Sequence, residues 1–174
     1  MNPFTLEEES PAYTLIKGMK PWLAFFTIWT HFLEKNGWRY SVDYEGYCIA
    51  SEMGKAIVFL ESIEEQIKVL ESLSHERIVH FLTQADQWDA YTKAYVKGYL
   101  SGNLDRLKSV GLGFPSRHHA VIDRRDLILF ERMFNYIEQG DAVAFVGAPH
   151  IRGISRMLRR KGFQIKGPPI PVSE

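Results

Sequence analysis

One run restricts the fold of this chain more than any other: Ala142-Val143-Ala144-Phe145-Val146, with Gly140-Asp141 before it and Gly147-Ala148-Pro149-His150 after it. Small, β-branched and aromatic residues in a short apolar run between turn signals predict a fully buried strand. Gly147 permits a sharp turn because it has no Cβ to clash. Helical spacing begins directly afterwards through Ile154, Met157 and Leu158, with Arg156, Arg159, Arg160 and Lys161 facing outward. His150 is therefore expected where the chain leaves a sheet, the place at which open α/β sheets receive ligands. A histidine that caps the turn and bonds to backbone is the competing reading, and spacing alone leaves both open.

The preceding chain reads mostly as helix. Pro21 suits the opening of a helix through Trp22, Phe25, Phe26, Ile28, Trp29, Phe32 and Leu33, ending at Asn36-Gly37. Its aromatics crowd more than one face, which predicts a largely buried helix. Trp38–Asp43 reads as a short strand, Tyr44–Met53 as a helix stopped by Gly54, and Ala56–Leu60 as a second strand with Glu61 at its end. Ser62-Ile63-Glu64-Glu65 is a capping box that opens a helix lined by Ile67, Leu70 and Leu73. Ile78, Phe81, Leu82, Ala85 and Trp88 continue at helical spacing, as do Tyr91, Ala94, Tyr95, Val96 and Tyr99, up to a break at Gly102-Asn103. Gly111–Ser116 is the clearest loop, Val121–Ile137 a further amphipathic helix, and Phe163–Lys166 a closing strand. The expected fold class is α/β, mostly helical with a small mixed sheet. The 174 residues are expected to form a single domain, with 1–18 either frayed or a first helical turn and 168–174 an extended tail.

Charge and cysteine usage exclude several classes. Lysine plus arginine equal aspartate plus glutamate at 21 each, so no net field favours nucleic acid or an anionic membrane. Trp22–Leu33, the longest apolar stretch, is interrupted by Thr27, Thr30 and His31 and is too short to span a bilayer. The lone Cys48 has no intramolecular disulfide partner and reads as an inert buried thiol, with a nucleophile as the competing reading. Met1–Glu9 lacks the basic and apolar regions of a signal peptide, so a soluble, cytoplasmic chain is expected.

Several motifs occur in a telling order: Lys20-Pro21-Trp22, Asp43, Ala50, Gly54-Lys55, Leu60-Glu61, Gln66, Tyr99–Asn103, Arg125-Asp126, Gly147-Ala148-Pro149-His150, Gly153 and Lys161-Gly162-Phe163. The series resembles the TraB/GumN family, to which the TIKI metalloproteases also belong, from about Met19 to Ile165. The resemblance implies a metal-dependent hydrolase, with peptide-bond cleavage as the family's best-known activity and a peptide or small molecule as substrate. It places His150 at the second Gly-x-x-His histidine, Glu61 at the acidic position and Arg125 at the arginine. His150 and Glu61 would then hold a divalent ion (zinc, manganese or cobalt), which acidifies a bound water. Arg125 would hold a substrate carboxylate or the developing oxyanion.

The chain departs from that pattern at one point: no second Gly-x-x-His occurs in it. A catalytic zinc site takes three protein ligands and an open position, which His150 and Glu61 alone do not supply. The chain is thus expected to be the carboxyl-terminal portion of the family domain, its sheet incomplete, with relatives' export signals in the part it lacks. Three explanations stay open: a truncated reading frame, a degenerate binding or regulatory module without catalysis, and a homodimer whose chains complete one another's site across a bare sheet edge. Other candidates have simpler readings. His118 and His119 read as a solvated loop pair, His75 and His80 as surface or partly buried residues, and His31 as a satisfied interior histidine. Asp43 reads as a cap, and the basic run from Arg156 to Lys161 as the complement of a helix dipole.

Overall fold

Local chemistry fixes where the helices start and stop. The computed structural model describes residues 11–111, 113–117 and 119–167. Helix α1 is Pro11–Ile16 and α2 is Pro21–Lys35, with proline in its first turn and Asn36 as its C-cap. Gly37, at φ +83°, then takes a backbone conformation that side chains rarely adopt. Ser41 caps α3, Val42–Glu52, and Gly54 at φ +63° turns the chain away from it. The Ser62–Glu65 box forms in full at the head of α4, Ile63–Glu71: Glu65 N–H donates to Ser62 Oγ at 3.2 Å, and Ser62 N–H donates to Glu65 Oε2 at 2.9 Å. After it come α5 (His75–Thr83), a 3-10 turn at Ala85–Gln87, α6 (Trp88–Leu100) and α7 (Leu104–Gly111). A second 3-10 turn, Pro115–Arg117, precedes α8 (His119–Gln139) and α9 (Ala148–Arg160).

Two apolar clusters organise these helices. The first is aromatic. Phe25 and Trp29 of α2 meet Phe81 of α5, Trp88 of α6 and Phe114, with edge-on ring pairs such as Trp29–Trp88 at 5.1 Å. Such geometry sets the positive rim of one ring against the negative face of another. The Trp88 indole N–H, buried with its ring, donates to the Phe81 carbonyl at 3.1 Å, so no donor is stranded there. The second cluster joins α8 to α9 through Leu129, Phe130, Met133 and Ile154, with Leu60 and Val146 packed at its edge. Among the described residues no helix is long and apolar enough to cross a membrane.

The expected α/β class, with its small mixed sheet, is overturned: the described residues contain helices and turns but no strand. Ala56–Leu60, Ala142–Val146 and Phe163–Lys166 carry no regular structure, and Trp38–Asp43 leads into the first turn of α3. Nor is the 142–146 run buried, since Val143 is 83% exposed and Phe145 49%. Among the described residues, 56–60 and 142–146 make no backbone–backbone hydrogen bonds. A strand exists only as one side of a pair, and apolar patterning records a local preference without recording a neighbour. What these runs supply instead is packing. Phe145 presses against Gly46 of α3 so closely that an added Cβ would meet its ring at 2.8 Å, and Tyr47 stacks on Phe59 with centroids 6.3 Å apart. His31 is also corrected: it is exposed rather than interior. It follows Phe25 by six residues, about 240° around the helix and away from the aromatic face. The 168–174 tail, the first ten residues and His118 lie outside the described residues.

Candidate functional site

Helix α8 supplies two partners to two different elements. Arg125 and Asp126 are neighbours on it and point about 100° apart. Arg125 reaches the chain just ahead of α4, where its Nε donates to Glu61 Oε1 at 2.9 Å and its Nη2 to Glu61 Oε2 at 2.5 Å. This is a fork-on-fork pair, in which both carboxylate oxygens are occupied. Two turns further along α8, Arg132 donates to the Leu60 carbonyl at 2.6 Å and to both oxygens of Glu65. Those bonds hold the Glu65 carboxyl down to about 2. Together the two arginines tie the head of α4 to α8.

Asp126 faces α9 instead. His150 occupies the first turn of that helix, after an N-cap at Gly147 and a proline at its start, and its backbone N–H donates to the Gly147 carbonyl at 2.9 Å. The expected turn at Gly147 takes this form, with an ordinary φ of −57°. The His150 ring lies with Nδ1 2.6 Å from Asp126 Oδ1, and both side chains are more than nine-tenths buried. Burial pushes the Asp126 carboxyl above the usual carboxylate range, with the His150 hydrogen bond pulling the other way. The other carboxylate oxygen, Oδ2, lies against Gly153, where any Cβ would overlap it. Only glycine lets the backbone of α9 come so near the acid.

Asp126 lines a cleft between α7, α8 and α9; Ala148, Pro149 and Gly153 form its α9 wall. His150 stands behind Asp126 rather than among the lining residues. The three residues singled out from the sequence are therefore sorted into two pairs. Glu61 and Arg125 meet each other, whereas His150 meets Asp126. The sequence reading noted Asp126 only as the neighbour of Arg125. Its signal was available: a carboxylate one residue beyond an arginine on a helix faces a different neighbour, and Gly153 marks a close approach three residues after His150. Asp43 sits exposed in the first turn of α3, where an acid complements the helix dipole. His75 and His80 are exposed on α5, Cys48 is half-buried on α3, and Arg159 and Arg160 occupy the last turn of α9.

A divalent ion finds no ready set of ligands here. Among the described residues no three His, Cys, Asp or Glu side chains gather closely enough to hold one. Both oxygens of Glu61 are engaged by Arg125, and Nδ1 of His150 is engaged by Asp126. These residues by themselves do not fit the metal that the resemblance implies.

Comparison with known proteins bears on ancestry. The model for the TraB/PrgY/gumN family matches residues 6–167. No curated protein and no solved structure matches the chain. A match over nearly the whole sequence, including the helix that carries His150 and the helix that holds it, means that this chain belongs to the TraB/PrgY/gumN family.

Proposed function

We propose that the chain acts as a hydrolase of this family, with Asp126 as the acid–base group and His150 as the residue that positions it. One observation carries the reading: a buried carboxyl that lines a cleft is held by a buried imidazole at 2.6 Å. An acid with its protonation equilibrium raised toward neutrality suits proton transfer to and from a reacting group. Ionised, Asp126 takes a proton from a water attacking a scissile carbonyl; protonated, it returns that proton to the leaving group. The contact with Nδ1 fixes the carboxyl plane, and Gly153 sets its distance from α9. Arg125, expected from the resemblance to grip a substrate or oxyanion, serves in this reading to anchor Glu61 and α4.

The test is hydrolysis of a mixed peptide library by the wild-type chain, Asp126→Asn and His150→Ala, with chelator and with added zinc, manganese or cobalt. Turnover that survives chelator and disappears in Asp126→Asn is the expected result. Turnover that requires an added ion overturns the metal-free pair. A second reading, a binding module without catalysis, is favoured by the mutual pairing of Glu61 with Arg125, which engages both oxygens of the acid and two nitrogens of the guanidinium. Wild-type chain that cleaves nothing supports that reading over the first.

A further inference from the structure

We propose that the cleft between α7, α8 and α9 is a binding site for a phosphate group, with the half-buried Arg117 as its anchor. The inference uses the same cleft as the reading above and deepens it by naming the ligand chemistry, but it does not require turnover there. The cleft encloses a cavity of about 60 Å³, several times the ~10–15 Å³ one water needs by that measure. Its charged lining is Lys108 of α7, Arg117, Asp123 and Asp126 of α8, and Arg152 and Arg156 of α9. Asp126 is already joined to His150, and Arg152 is paired with Asp105. Lys108, Arg117 and Arg156 form no ion pair among the described residues and outnumber the two carboxyls of the lining, Asp123 and Asp126, so a small positive excess is left at the cleft.

Arg117 supplies the observation that points to a ligand rather than to a solvated basic patch. Its guanidinium lies over the Tyr95 ring, 4.2 Å from the centroid, and 5.4 Å from that of Phe114. Nη1 is buried and has no hydrogen-bond partner among the described residues. Buried guanidinium N–H groups are almost always satisfied, so one left without a partner in a side chain that lines a cleft calls for an acceptor. Room for this side chain is built in. A Cβ on Gly111, at the end of α7, would come within 3.0 Å of Nη1 and 3.1 Å of Cδ. The first turn of α9, with Ala148 and Pro149 on the wall, adds the positive end of a helix dipole. A planar donor fixed by stacking, two further cations and a helix start make a recurring arrangement for phosphate oxygens.

Calorimetric titration of the whole chain with inorganic phosphate, and separately with succinate, tests the assignment. The expected result is saturable binding of phosphate at one site per chain. Arg117→Gln and Arg156→Gln should each weaken it about tenfold or more, while Arg159→Gln, in the last turn of α9, leaves it within about twofold. Asp126→Asn, which abolishes turnover if the hydrolase reading holds, should bind phosphate more tightly because a carboxylate has left an anion site. Binding and hydrolysis thus fail separately. Arg117 packs on two rings, so should Arg117→Gln not fold, the exposed Arg156→Gln carries the test. No saturable phosphate binding, binding undiminished in Arg156→Gln, or succinate bound as tightly as phosphate overturns the proposal.

Discussion

The two apolar clusters bury side chains to a similar degree and achieve it by opposite means. The α2–α5–α6 cluster is a mesh of rings in which Phe81 touches Phe25, Trp29, Trp88, Tyr91 and Phe114. The Trp88 indole nitrogen at its centre is bonded to backbone, while Trp22 Nε1 and Tyr91 Oη at its edge are buried without a hydrogen-bond partner among the described residues. Among the described residues the α8–α9 junction has four buried apolar side chains, and beside them it holds a buried acid and imidazole. A ring mesh is redundant, since each contact is one of many, and it carries no chemistry. A buried acid–imidazole pair next to a glycine is unforgiving, and it faces a cleft. The first region supplies stability and the second spends some of it on a polar site.

Trp88→Ala should have the largest effect on that contrast. Removing a fully buried indole leaves a cavity walled by rings too large to close in, and the cost should be about 3–5 kcal/mol. Urea denaturation followed by far-UV circular dichroism reads it. A loss below about 1 kcal/mol would mean that the mesh relaxes freely and is not a rigid core. Gly153→Ala comes next, at about 1–3 kcal/mol, because a methyl there must displace either Asp126 or α9. An unchanged midpoint would show that the acid and α9 lie further apart than the geometry has them.

The Asp126–His150 pair is tested by a double-mutant cycle, with Asp126→Ala, His150→Ala and both together. Each single change strands a buried polar partner, which costs about 1–3 kcal/mol. The double variant should lose less than the sum, by about 0.5–3 kcal/mol of coupling. Additive losses would mean that the two side chains touch without stabilising one another, and the contrast between the clusters would narrow to one of size.

How far the sequence revealed this arrangement depends on the range of the interaction concerned. Helix ends were legible because their causes lie within a turn: Pro21 at the start of α2, Ser62 and Glu65 at the head of α4, Gly54 and Gly140 after helices. The four strands expected from apolar runs did not form, since pairing depends on a neighbour that no local pattern contains. The site was half legible. His150 and Arg125 were singled out by the family series, and Arg125 does meet Glu61. The partner of His150 was missed because Glu61 claimed attention as the only acid in the implied ligand set. The rotation of α8 and the glycine at 153 are written in the sequence, but only the packing of α9 on α8 joins them into a partner for His150.

The smallest effects are those of pH, and they separate two carboxylates by sign. Glu65 is held at about 2, first by hydrogen bonds from Arg132 and then by the Ser62 backbone. Its pairing therefore contributes fully above the ordinary value of 4.5 and is lost as the pH falls through about 2. Asp126 runs the other way. Burial raises its carboxyl, so its share of stability is complete below the ordinary 3.8 and is lost as the pH rises through the raised value. In acid titrations of the melting temperature, Glu65→Gln should flatten the fall below pH 4.5, and Asp126→Asn should remove a decline on the side above 3.8. Glu65 is exposed enough for solvent and salt to shrink its effect, whereas the buried pair should hold its slope as salt is added. Matching salt responses in the two variants would mean that bulk solvent screens Asp126 as fully as Glu65, and the largely buried acid on which the α8–α9 junction depends would be an open one.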